Sequence, residues 1–122
     1  MAASYLKNAT SRLEVFDLDG KSLKEIPLPG VGTMGGPYGR ADEDEGYFSY
    51  ESFTTPLEIY SMSMKSLETK LYSKVKVPVD PTPYVVDQEF YPSKDGTRVS
   101  MFIVHRKDIQ KDGSQRTILY GY

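Results

Sequence analysis

The sequence has no cysteine. This removes disulfides, thiolate metal sites and a cysteine nucleophile together, leaves stability to packing, and fits a reducing compartment. Nor is there an apolar run approaching the roughly 20 residues of a membrane span. Residues 1–6 lack the basic stretch and continuous apolar segment of a secretory leader. These absences set the expectation of a cytoplasmic protein with no membrane partner. On that expectation the glycosylation sequon Asn8-Ala9-Thr10 carries no meaning. With 15 basic against 17 acidic residues, the net charge of -2 offers no footprint for nucleic acid.

Histidine occurs once, at His105, and no Gly-x-Ser-x-Gly elbow exists to present a nucleophile. A Ser-His-acid mechanism confined to these residues would have to run through that single imidazole. Its setting, after the apolar run Met101–Val104 and before Arg106-Lys107, favours a structural or surface role. Amphipathic helical periodicity is also missing.

What the 122 residues do have is a globular composition, 39% hydrophobic and 12% aromatic, enough for one small core. Strand signals recur along it. Leu13 to Leu18 and Leu23 to Leu28 flank Asp17-Leu18-Asp19-Gly20, where Asp19-Gly20 predicts a type I′ hairpin. Pro27 and Pro29 end the second strand, and Gly30 to Gly39 reads as a glycine-rich connection. After the acidic turn Asp42–Gly46, strands are expected at Tyr47–Tyr50, at Leu57–Met64 with Tyr60, Met62 and Met64 on one face, and at Lys70–Val77.

Pro78, Pro81 and Pro83 then interrupt regular pairing and mark a boundary. Beyond them Val85–Tyr91 and Thr97–His105 flank Asp95-Gly96 as a second hairpin. Met101–Val104 reads as a strand covered on both faces, and Ile118–Tyr122 as one more strand.

Two local motifs could carry chemistry. Gly30-Val31-Gly32-Thr33-Met34-Gly35 satisfies the dinucleotide fingerprint, but Gly36-Pro37 and the acidic residues after it cannot open the helix that would hold a pyrophosphate. Asp42 to Glu45 lack the alternating spacing of a calcium loop and read as a solvated turn. No cofactor and no metal site is expected.

Four segments together carry a resemblance: Arg12–Gly20, Ser52-Phe53-Thr54-Thr55-Pro56 before Ile59-Tyr60, Phe90-Tyr91-Pro92-Ser93-Lys94-Asp95-Gly96-Thr97, and Met101-Phe102-Ile103-Val104-His105. In order and spacing they resemble the prolyl oligopeptidase family of serine peptidases, and with Leu119-Tyr120-Gly121-Tyr122 the resemblance covers nearly the whole chain. Ser100 stands where the family usually has proline.

The resemblance implies a mainly β chain. Residues 1–79 would be the C-terminal part of a seven-bladed β-propeller, and residues 80–122 the first antiparallel strands of an incomplete α/β-hydrolase peptidase domain. It implies that Tyr122 supplies an oxyanion-hole hydroxyl, while the Ser-Asp-His triad lies outside the chain, so that Ser93, Ser100 and His105 inherit no catalytic role. The implied activity is hydrolysis of short peptides after proline by a monomeric enzyme, with none from these residues alone. Two alternatives stand beside it: cleavage after basic residues as in oligopeptidase B, and a noncatalytic β-rich binding module.

Overall fold

The computed structural model describes residues 1–121. Among them lie nine strands and no helix: β1 (Ala2–Lys7), β2 (Thr10–Phe16), β3 (Ser22–Ile26), β4 (Thr33–Gly39), β5 (Glu45–Glu51), β6 (Glu58–Ser63), β7 (Thr69–Lys74), β8 (Tyr84–Pro92) and β9 (Arg98–Arg106). They form a three-stranded sheet β1-β2-β3, a four-stranded sheet β4-β5-β6-β7 and a two-stranded ribbon β8-β9. Every pairing is antiparallel and joins sequence neighbours.

The period of two decides what is buried. On β5, Gly46, Phe48 and Tyr50 turn inward while Tyr47 and Ser49 alternate with them. Phe48 sits opposite Tyr60 of β6, the rings stacked with centroids 5.3 Å apart. Burial, reinforced by a hydrogen bond to the Glu58 carboxylate, pushes the Tyr60 phenol up to about 12. The core joins the first two sheets, with Leu13, Val15 and Ile26 from one meeting Phe48 and Met62 from the other. Backbone ties follow the same seam: the Ser11 amide donates to Gly32 O at 3.1 Å, and the Met34 amide to Ser11 Oγ at 3.1 Å.

The structure corrects four expectations. First, the glycine-rich connection is largely strand β4. It is an edge strand with a bulge between Gly35 and Tyr38, a place where Pro37 costs no ladder bond. The fingerprint glycines serve close packing: a Cβ on Gly32 would lie 2.4 Å from Glu51 O and 2.8 Å from the Tyr50 ring. Gly32→Ala is therefore expected to destabilise the fold by about 1–3 kcal/mol, through displacement of β5 backbone. Urea unfolding checks this, and an unchanged midpoint would refute the close approach.

Second, Asp19-Gly20 is not a type I′ turn, since of the two only Gly20 has positive φ (81°). The Asp17 amide donates to Lys21 O at 3.0 Å and the Gly20 amide to Asp17 O at 3.3 Å. Asp17 Oδ1 accepts from the Asp19 and Lys21 amides at 3.0 and 2.8 Å, which favours a three-residue loop with glycine in the left-handed position. Ser93–Thr97 repeats the arrangement, with Gly96 at φ 84°. Two consecutive positive-φ residues occur instead at Asn8 (53°) and Ala9 (61°), between the paired residues Lys7 and Thr10. Strand β1, which this turn begins to pair, was not anticipated by the hydrophobic pattern.

Third, Met101–Val104 is not covered on both faces. Strand β9 belongs to a two-stranded ribbon, and among the described residues its Val104 stays 45% exposed. Fourth, no strand runs through residues 118–121. No strand is assigned at Ile118, Leu119 or Tyr120, and all three are exposed. Tyr122, the residue expected at the oxyanion position, lies outside the described residues.

Candidate functional site

Two places bring together residues singled out from the sequence: the seam where the four-stranded sheet meets the β8-β9 ribbon, and a polar cluster on the ribbon itself. The seam starts from the loop between β5 and β6. Ser52 shapes this loop, its Oγ accepting from the Thr54 and Thr55 amides at 3.2 and 3.0 Å while its own amide donates to Thr55 O at 3.0 Å. Such local side-chain bonds replace a ladder and fix a turn.

The loop projects Phe53, which meets Phe102 of β9 with ring centroids 6.3 Å apart. Beside this contact opens a mostly apolar cleft of about 600 Å³, walled by Pro56, Val77, Val79, Pro81, Tyr84 and Val104. The proline-rich crossing forms its floor. Asp80 accepts from the Thr82 amide and hydroxyl at 3.0 and 2.9 Å, and the Lys107 amide donates to Pro83 O at 2.8 Å, setting the ribbon's start beside its end. A second tie runs from the Gln88 amide group to Asn8 O in the turn between β1 and β2.

On the ribbon, His105 Nε2 lies 2.9 Å from Asp87 Oδ2, and Lys111 Nζ bonds the same oxygen. His105 Nδ1 faces Arg106 O at 2.7 Å. The hydrogen bond to Asp87, followed by that to the Arg106 carbonyl, raises the imidazole above its ordinary 6.5. The same bond from His105, followed by that from Lys111, holds Asp87 below the usual carboxylate value. The sequence reading identified His105 but missed Asp87 and Lys111. Their approach depends on the register that pairs Val85 with His105 and Asp87 with Ile103.

The remaining candidates have structural engagements. Ser93 closes the β8-β9 turn and Ser100 pairs with Phe90 within the ribbon. In the acidic turn, Arg40 bonds Asp42 at 3.2 Å and Glu43 at 3.3 Å. The Asp44 carboxylate accepts from Ser63 Oγ and the Lys65 amide, both at 2.8 Å, and so pins the β6-β7 turn. The ring hydrogen bonds described for His105 go to Asp87 and Arg106, an arrangement that orients the ring without delivering it to a hydroxyl nucleophile.

Comparison with known proteins fits this architecture. The family model described as "Prolyl oligopeptidase, N-terminal beta-propeller domain" matches residues 1–75. A prolyl endopeptidase of Elizabethkingia miricola is 43% identical over 120 residues, covering 98% of this chain and 17% of that relative. The prolyl endopeptidase of Elizabethkingia meningoseptica is 38% identical over the same length and share. A solved structure from a structural and mechanistic analysis of two prolyl endopeptidases superposes with a TM-score of 0.82 at 47% identity, covering 92% of this chain and 16% of that one. The chain thus spans about a sixth of the length of the relatives it matches. With an all-β architecture, a propeller-domain match over more than half its residues and this level of identity, the chain belongs to the prolyl oligopeptidase family.

Proposed function

We propose that these residues are a segment of a serine endopeptidase that hydrolyses short peptides after proline. The observation carrying this reading is the 43% identity to a prolyl endopeptidase, which runs over 120 residues and so across the proline cluster. Residues 1–79 are the C-terminal part of a seven-bladed propeller, a boundary supported by the family match that extends to residue 75. Residues 80–122 begin an α/β-hydrolase peptidase domain, with Tyr122 donating to the oxyanion. The triad is supplied from outside these residues.

The proposed partners are short proline-containing peptides; the enzyme is a cytoplasmic monomer that engages neither nucleic acid nor membrane. The relatives reported above are named for proline, which lends cleavage after basic residues no support. Acyl transfer needs a nucleophile and base within hydrogen-bond reach. Residues 1–122 alone are therefore inactive.

The test pairs two proteins with two substrates. The whole protein carrying this segment and the 122-residue chain are each assayed on fluorogenic peptides releasing their reporter after proline or after lysine. The expected result is cleavage after proline by the whole protein and no turnover by the chain. Preference for lysine would overturn the specificity, and absence of any peptidase activity in the whole protein would favour a noncatalytic β module.

A further inference from the structure

The cleft beside Phe53 carries apolar surface that the peptidase chemistry does not use. Phe53, Val77, Val79, Tyr84 and Val104 all line it, and all five are exposed. Exposed apolar residues scattered singly need no explanation, whereas a contiguous patch marks a contact surface. Pro56, Val77, Val79, Pro81 and Tyr84 also wall a second opening of about 630 Å³, and there Lys74, Lys76 and Lys107 complete the lining. The two openings thus form one groove along the seam, apolar on one side and basic on the other.

The acids of the groove are already engaged. The Glu58 carboxylate accepts from the Tyr60 hydroxyl at 2.6 Å, and Lys74 lies opposite Glu58 in the β6-β7 ladder. Hydrogen bonds from the Thr82 amide and hydroxyl hold Asp80 below its ordinary value, with Lys107 adding a smaller pull. Glu51 stands on the apolar side. Among the described residues none of these three lysines forms an ion pair. Lys76, which neither that ladder nor Asp80 engages, is the cation the groove has to spare.

We propose that the groove seats an apolar segment of the same polypeptide from outside residues 1–122, and that a carboxylate of that segment meets Lys76. This rests on reading the chain as part of a longer enzyme, since it covers 17% of the two prolyl endopeptidases reported above. The groove walls belong to the crossing between β7 and β8, so the rest of the polypeptide is tethered to the groove itself. Tethering gives such a segment an effective concentration that a dissolved peptide or a second copy would have to exceed. Phe53 lines the groove and touches Phe102, so the occupant extends a contact already formed.

The test uses the whole protein and reads no activity, so its outcome is separate from that of the proline assay. Val79 is 65% exposed and Leu18, in the β2-β3 turn, 89%. Uncovered, both positions would accept a charge at little cost. Under the proposal Val79→Asp lowers the thermal midpoint by several degrees, because it buries an unpaired carboxylate, and Leu18→Asp leaves it in place. Zero-length carbodiimide coupling is run on an equal mixture of 14N and 15N protein and mapped by mass spectrometry. It should join Lys76 to an aspartate or glutamate outside residues 1–122 within one isotope set. Should Val79→Asp fail to fold, the coupling of the unsubstituted protein still decides. A Val79→Asp midpoint no lower than that of Leu18→Asp, coupling of Lys76 only across isotope sets, or no coupling of Lys76 beyond residues 1–122 would each overturn the seat.

Discussion

Replacing Phe48 by alanine is expected to lower stability by about 3–5 kcal/mol, the range for a buried phenylalanine whose cavity cannot collapse. Phe48 is 2% exposed and stacks on Tyr60, and both lie on central strands of the four-stranded sheet. Its neighbours in the core include Leu13, Val15 and Ile26 of the first sheet. The cavity therefore opens between two sheets, and the loss should be shared by both. Against a domain stability of roughly 5–15 kcal/mol, this is enough to unfold a marginal chain. Chemical denaturation of Phe48→Ala beside Phe53→Ala makes the comparison, since Phe53 is 72% exposed and its truncation removes far less buried contact. Equal shifts for the two variants would mean that the shared core does not carry the fold.

The second large effect concerns Tyr122, and it follows from the proposed chemistry. As the peptide carbonyl becomes tetrahedral, its oxygen gains charge, and a positioned hydroxyl helps most at that moment. Tyr122→Phe in the whole enzyme removes this donor while keeping an aromatic ring. Loss of one oxyanion donor costs about 10²–10³ in kcat. Because the bond strengthens mainly in the transition state, KM should change little, so kcat and kcat/KM fall together. Steady-state kinetics on a proline peptide reads this split. A variant with unaltered kcat would remove Tyr122 from the oxyanion site, and one altered in KM alone would reassign it to substrate binding.

Much of the strand content could be read from alternation. Phe48 and Tyr50 on β5, and Tyr60 with Met62 on β6, follow the period of two that one-sided burial imposes. The proline cluster also falls between β7 and β8, where proline's missing amide is compatible with a break in pairing. Strand β1 was not legible because Ala2-Ala3-Ser4 carries no apolar alternation; pairing along β2 confers its structure. Strand β4 was hidden by its glycines, which signal loops by composition but here let its backbone pass close to β5, Gly36 beside Tyr47 O and Gly39 beside Glu45 O. At Asn8-Ala9 the left-handed geometry falls on an alanine, which pays roughly 1–2 kcal/mol for it, so propensity pointed elsewhere.

The polar cluster was legible to a lesser degree. A lone histidine is visible in any sequence, whereas the company it keeps depends on cross-strand register and on where a later segment folds back. His105 meets Asp87 diagonally across β8-β9, and Lys111 reaches it from beyond the strand. Pattern reading is weakest for such convergence because no periodicity along the chain encodes it.

The sequential order of strands within each sheet has a kinetic corollary. Each ladder links adjacent segments, so each can zip from its own turn with little chain entropy lost to closure. A sequence-distant encounter with the most buried apolar contact brings Leu13 and Val15 against Phe48 and Met62. The barrier to reaching the native state should then lie in the meeting of two meanders, making the apolar seam between sheets a determinant of folding speed as well as of stability.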